Sequence, residues 1–160
     1  MTLCFSPIGQ ALYPYMSKQI VGDRKAAIKK QKQIFFPILI AFICIGLVVI
    51  LLRKYVVSLL LGKDYLPYSN LVLIMIPQMI FGITNNFLGV QSLVASGHQK
   101  QYSISIMTSV CTLLISNLIL CPRLGEYGTA LSALISEVIL TVLLSYFCKH
   151  YYWQGEESNA

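Results

Sequence analysis

Glu137 is the only ionisable residue deep inside any of the four long apolar stretches of this 160-residue chain. A charged side chain at the centre of a bilayer costs about 3 kcal/mol even on lenient insertion scales, so this carboxyl is expected to face a protein interior. There it has two chemistries open to it. It can take up and release a proton or cation, or it can serve as a hydrogen-bonded acid that ties helices together. The in-span amides Gln78, Asn85, Asn86 and Asn117 belong to the same candidate cavity or coupling set. A second set, Lys25, Lys29 and Lys32, lies near one helical face ahead of the first apolar stretch. It can form a basic platform for anionic headgroups or a lipid-linked diphosphate. It can equally be a solvated loop or surface helix that only fixes orientation.

The amides sit on the stretch around which the chain is organised, Leu71–Val94. Its 24 residues would extend about 36 Å as a helix, against a hydrocarbon core of about 30 Å. Gln78, Gly82, Asn85, Gly89 and Ser92 are spaced 4, 3, 4, 3 and fall on one seam of that helix, the other faces being Leu, Ile, Met, Phe and Val. In lipid such a seam needs another helix or a water-lined cavity against it. Tyr102–Leu120 repeats the pattern with Ser105, Ser109, Thr112 and Ser116, and Thr108 and Asn117 lie beside them. In Gly128–Phe147, the residues Thr129, Ala133, Glu137, Thr141 and Ser145 step along one face, and Gly128, Ser132 and Ser136 along the next. Only a short turn separates the second and third spans. They are therefore expected to be antiparallel neighbours whose seams satisfy each other.

The composition fits this architecture. The chain is 56% hydrophobic and 11% charged, with a mean hydropathy of +0.69, where soluble domains carry about 25% charge. The expected fold is an all-α membrane protein with four transmembrane helices, at residues 35–52, 71–94, 102–120 and 128–147, in a bundle over 35–147. Residues 1–20 read as the last turns of a preceding membrane helix, with Ile8, Ala11, Leu12 and Tyr15 on one face. A chain beginning there is expected to be the remainder of a longer one. Residues 21–34 form a basic cytoplasmic loop, and 148–160 a cytoplasmic tail with an interfacial Tyr151-Tyr152-Trp153 belt. The first span, with Pro37 in its opening turn, has almost no polar content and belongs on the lipid-facing outside. Tyr55–Leu61 is too short to cross and is expected as a brief surface helix. Pro77 marks a place for a kink. Gly97 suits a left-handed cap at the end of the second span, and Pro122 and Gly125 close the third.

Charge placement gives orientation. Six of the twelve basic residues fall between Lys18 and Lys32. With that segment inside, Lys100 and Lys149 are inside too, and Arg53, Lys54, Lys63 and Arg123 are outside, so both ends are expected to be cytoplasmic. The net charge of +6 is thereby a topology signal, and no nucleic-acid partner is expected. The five cysteines show neither paired nor metal spacing and read as small buried hydrophobes. His98 falls in a turn with no second ligand near it and reads as a solvated loop residue. With no nucleophile–base pair, metal cluster or phosphate loop in the sequence, neither an enzyme nor a cofactor is expected.

Four local patterns, in this order and spacing, resemble a known family. Ala11-Leu12-Tyr13-Pro14 followed by Ser17 and the basic segment is similar to the cytoplasmic end of the eighth helix in bacterial polysaccharide flippases. Leu60-Leu61-Gly62-Lys63-Asp64-Tyr65 resembles their turn after the ninth helix, and Leu93-Val94-Ala95-Ser96-Gly97-His98-Gln99-Lys100 the turn between the tenth and eleventh. Gly125-Glu126-Tyr127-Gly128-Thr129-Ala130, with Ser136-Glu137 downstream, resembles the start of the twelfth. The resemblance is to the polysaccharide flippases of the multidrug, oligosaccharidyl-lipid and polysaccharide exporter superfamily, and it covers nearly the whole chain.

The resemblance implies two six-helix lobes with alternating access. It implies passage of an undecaprenyl-diphosphate-linked O-antigen or capsule-type repeat unit across the bacterial inner membrane, often ion-coupled. It also implies that this chain supplies the end of helix eight and helices nine to twelve, part of one six-helix lobe. The N-terminal lobe and the family's cationic cavity residues have no counterpart here. These residues alone are therefore expected not to transport, and to need that lobe or polysaccharide assembly proteins as partners, beside the bilayer and a lipid-linked oligosaccharide. Two other readings fit the residues. One is a complete small four-helix ion-coupled transporter acting as a homo-oligomer. The other is a non-transporting membrane subunit.

Overall fold

The computed structural model describes the backbone of residues 24–153 and the side chains of residue 31 and residues 33–151. The segment 1–20 and the end of the tail lie outside the described residues. Among the described residues every regular element is helical. In order they are α1 (Arg24–Leu51), α2 (Arg53–Leu60), a 3-10 segment (Lys63–Leu71), α3 (Val72–Asn86), a π-helical segment (Phe87–Val94), α4 (Gln99–Leu124), α5 (Glu126–Phe147) and a π-helical end (Cys148–Trp153). Four stretches are long and apolar enough to cross a membrane: Gln33–Leu51, Lys63–Val94, Gln99–Leu124 and Glu126–Tyr151. They coincide with the four spans expected from sequence, with ends that differ by several residues.

The basic stretch differs from expectation. Arg24–Gln33 is helical and continuous with the first span, so the charges sit on the first turns of α1 rather than on a loop. Pro37 consequently lies inside α1 and not in its opening turn. Its missing N–H leaves the carbonyl of Gln33, at the edge of the apolar stretch, without its usual intrahelical donor. The rest of α1 is largely exposed, as its composition requires of a lipid-facing helix. Its close approach to α3 is at Gly46, where a Cβ would stand 2.7 Å from the Ile76 side chain. α2 is the short helix expected near Tyr55–Leu61.

α5 is the centre of the bundle. It packs along both α3 and α4, whereas α3 and α4 approach each other only near their shared turn. There Gly89 meets the ring of Tyr102, and Leu144 of α5 closes in beside them. This corrects the expected pairing of the second and third spans. A short connection fixes that two helices are antiparallel, but not that nothing lies between them. Both tight turns use glycine at positive φ, Gly97 at 87° and Gly125 at 58°, where side chains with a Cβ are strained. The apolar core sits near the α3–α4 turn and consists of Leu93, Leu144 and Cys148, flanked by Leu88, Tyr102, Leu140 and Phe147.

Candidate functional site

The two faces of α5 read from sequence point at different helices. Gly128, Ser132 and Ser136 are buried against α4. A Cβ on Gly128 would run into the backbone of Leu120 and Cys121, so only glycine permits this approach. Ser132 and Ser136 donate to their own helix, at Gly128 O (2.8 Å) and Ala133 O (2.8 Å). Two bonds cross, from Ser109 Oγ to Ser136 O at 3.0 Å and from Thr129 Oγ1 to Cys121 Sγ at 3.6 Å.

The other face carries the site. Asn85, buried on α3, donates its side-chain amide to Glu137 Oε2 at 2.7 Å and to the Glu137 carbonyl at 3.0 Å. Thr141, one turn further along α5, places its hydroxyl 2.7 Å from Asn85 Oδ1 and 2.8 Å from Glu137 O. Glu137 is half-buried. Gly82 leaves room beside its second oxygen, since a Cβ there would stand 3.9 Å from Oε1. The lysines and arginines with described side chains, Arg53, Lys54, Lys63, Lys100, Arg123 and Lys149, sit at or near span ends. Among the described residues, the carboxyl is therefore held by an amide within the apolar stretch, as a hydrogen-bonded group and not as half of an ion pair. Among the described residues there is no cluster of metal-ligating side chains.

Asn85 and Glu137 are brought together, and Gln78, Asn86 and Asn117 are not joined to them. Gln78 is half-buried two turns from Asn85 on α3. Asn86 is half-buried, and its Oδ1 has no hydrogen-bond partner among the described residues. Asn117 lies on α4, where Leu114, Leu118, Cys121 and Pro122 join it in an open groove of about 370 Å³. The side chains of Lys25, Lys29 and Lys32 lie outside the described residues; only their place on the first turns of α1 is given.

The single seam expected on the second span splits. Gly82 and Asn85 face α5, Gly89 faces Tyr102 and Leu144, and Ser92 meets both Gln31 of α1 and Cys148 just past the end of α5. The π-helical segment causes this, with Ala95 N–H donating five residues back to Val90 O at 3.2 Å. The wider turn rotates the following residues off the 3.6-residue register and buries Gln91 as well. The carbonyl of Phe87 accepts from Ser92 Oγ at 3.0 Å and from Gln31 Nε2 of α1 at 3.2 Å. Gln31 also donates to Ser92 Oγ at 2.7 Å, and Phe35 packs on Phe87 with ring centroids 4.8 Å apart.

Sequence reasoning missed Gln31 because it was counted within the basic stretch. It missed the part of Thr141 because a threonine four residues after Glu137 usually bonds only its own helix. His98 departs from a solvated residue. It is half-buried, with Nδ1 3.1 Å from Ser96 Oγ and its ring 5.2 Å from that of Tyr151. Cys148 is fully buried and donates to Leu88 O at 3.2 Å, as a buried cysteine is expected to, whereas Cys44, Cys111 and Cys121 are exposed.

Fold and site together define a helical membrane protein with a carboxyl–amide pair inside its bundle. Among curated proteins the chain is similar to the capsular polysaccharide biosynthesis protein CapF of Staphylococcus aureus, 27% identical over 144 residues. That alignment covers 89% of this chain and 36% of the relative, so the chain spans about a third of the relative's length. It links the chain weakly to polysaccharide biosynthesis. No family model matches, and no solved structure matches.

Proposed function

We propose that these residues form the C-terminal part of a flippase that carries undecaprenyl-diphosphate-linked polysaccharide repeat units, of O-antigen or capsule type, across the bacterial cytoplasmic membrane. The observation that carries this reading is the similarity to a capsular polysaccharide biosynthesis protein over nearly the whole chain. The four spans and the order of the flippase-like turns support it. In this reading the bundle is one portion of a six-helix lobe, and both ends of the chain are cytoplasmic. Glu137, held by Asn85, is the coupling carboxyl. The basic first turns of α1, with Lys25, Lys29 and Lys32, meet anionic headgroups or the diphosphate of the lipid carrier. The partners are the N-terminal lobe or polysaccharide assembly proteins. The chain acts as neither an enzyme nor a cofactor carrier.

The test is complementation of a flippase-deficient strain. The 160-residue product alone should leave surface glycan absent, and the product supplied with an N-terminal lobe should restore it. Restoration by the product alone favours the complete small transporter working as a homo-oligomer. No restoration in either arm favours the non-transporting subunit. Orientation is tested separately with an impermeant maleimide. Cys121 should react from outside, and a cysteine placed at exposed Lys149 should not. Native Cys148 is unsuited to this test because burial alone protects it.

A further inference from the structure

Asn85 is held from both ends of its amide. Nδ2 reaches Glu137 Oε2 at 2.7 Å, and Oδ1 lies 2.7 Å from Thr141 Oγ1, which in turn is 2.8 Å from Glu137 O. A threonine hydroxyl has one proton and two lone pairs, and an amide has a donor end and an acceptor end. The two ends of an amide have nearly the same shape, and the hydrogen-bond network decides which way it points. With Glu137 ionised, Thr141 donates to Asn85 Oδ1, and Asn85 Nδ2 donates to the carboxylate and to Glu137 O. With Glu137 protonated, its O–H needs an acceptor. Turning the amide by half a revolution supplies one. Glu137 Oε2–H then donates to Asn85 Oδ1, Asn85 Nδ2 donates to Thr141 Oγ1, and the Thr141 proton moves to Glu137 O. The two arrangements differ by one proton and leave no polar atom of the three side chains unpaired where the first had it paired.

We propose that Glu137, Asn85 and Thr141 form a proton-binding relay in which protonation of Glu137 reverses the Asn85 side-chain amide. The ligand is a proton delivered from water. It forms one O–H bond on Glu137 and leaves by the same bond. Gly82 of α3 lies beside Oε1, where a Cβ would stand 3.9 Å away. Among the described residues, Gly82 and Asn85 from α3 and Thr141 from its own helix stand against Glu137, and none of these is titratable or charged. From α4, Ser109 reaches the neighbouring Ser136 carbonyl and is likewise uncharged. The relay deepens the coupling reading and rests on it for its physiological meaning, but its chemistry stands on the geometry alone. Asn85 and Thr141 act through Glu137 and are positioning residues.

The test is NMR of the full chain in lipid nanodiscs with 15N-labelled asparagine, following the Asn85 side-chain amide against pH. The resonance should move between two limits. Glu137→Gln, which cannot take up or release the proton, should make the Asn85 resonance independent of pH. Thr141→Val removes one bond from the unreversed arrangement and two from the reversed one, so the high-pH position should persist to more acidic pH. Thr141→Ser, which keeps the hydroxyl, should restore the wild-type response. The Asn117 amide should be unmoved in every variant and reports that the bundle is intact. A pH-independent Asn85 resonance overturns the proposal. So does a pH response of Asn85 that persists in Glu137→Gln, or an unchanged response in Thr141→Val. Glycan export unaffected by Glu137→Gln would overturn the coupling reading and leave the relay standing.

Discussion

α5 presents two sides of opposite physical character. Toward α4 it offers Gly128, Ser132 and Ser136, with hydroxyls turned back on their own helix and the backbones close enough that glycine is required. Toward α3 it offers Glu137 and Thr141, with directional bonds crossing to Asn85. Within hydrocarbon, apolar burial gives helices little reason to associate, so close van der Waals contact and interhelical hydrogen bonds must do it. The α4 side relies on the first and the α3 side on the second. The α4 side should be intolerant of added volume. The α3 side should be tolerant of volume and intolerant of lost partners.

The largest effect is expected on the α4 side. Gly128→Leu should abolish recovery of a monodisperse protein in detergent, since the new side chain enters the Leu120–Cys121 backbone. Gly128→Ala should cost about 1–3 kcal/mol, the usual range for overpacking. Gly82→Ala on the α3 side should cost much less, because its Cβ meets Glu137 at ordinary contact distance. Denaturation in mixed micelles would rank the two alanine variants, and equal costs would erase the contrast.

Next is Asn85→Leu, which conserves volume and strips the carboxyl of its donor. Leaving a buried polar group unsatisfied costs about 1–3 kcal/mol, and the same denaturation assay should show it. The paired change Asn85→Leu with Glu137→Leu should recover much of that loss, since removing both partners of a buried polar pair can be nearly neutral. Gln31→Leu should cost about 1 kcal/mol, as it removes the polar tie of α1 to Phe87 O and Ser92. The smallest effect belongs to Ser109→Ala. It deletes one crossing bond worth about 0.6 kcal/mol and leaves the close packing in place.

Much of this contrast is legible in the sequence. The two faces of α5 follow from the four-residue steps of Thr129, Ala133, Glu137 and Thr141 and of Gly128, Ser132 and Ser136. The cost of a carboxyl in lipid requires Glu137 to find a polar partner. Which helix supplies that partner was not legible. The few residues between Val94 and Gln99 suggest that the second and third spans pair, but spacing along the chain carries no information about a later helix that enters between them. The π-helical segment was also hidden. It depends on Phe87 O accepting from Ser92 and from distant Gln31, and no local pattern in Phe87–Val94 announces that competition. The seam of Gln78, Gly82, Asn85, Gly89 and Ser92 assumed an unbroken 3.6-residue period. It therefore gives no sign that Ser92 also meets α1, where Gln31 donates to its hydroxyl.

The most direct measurement is cysteine crosslinking in native membranes, in a background with the five cysteines replaced. Asn85→Cys with Thr141→Cys, whose side chains meet in the bundle, should form a disulfide on mild oxidation, and Asn85→Cys with Ser109→Cys should not. Efficient crosslinking of the second pair without the first would place α3 against α4 and contradict the arrangement in which α5 holds Glu137 against Asn85.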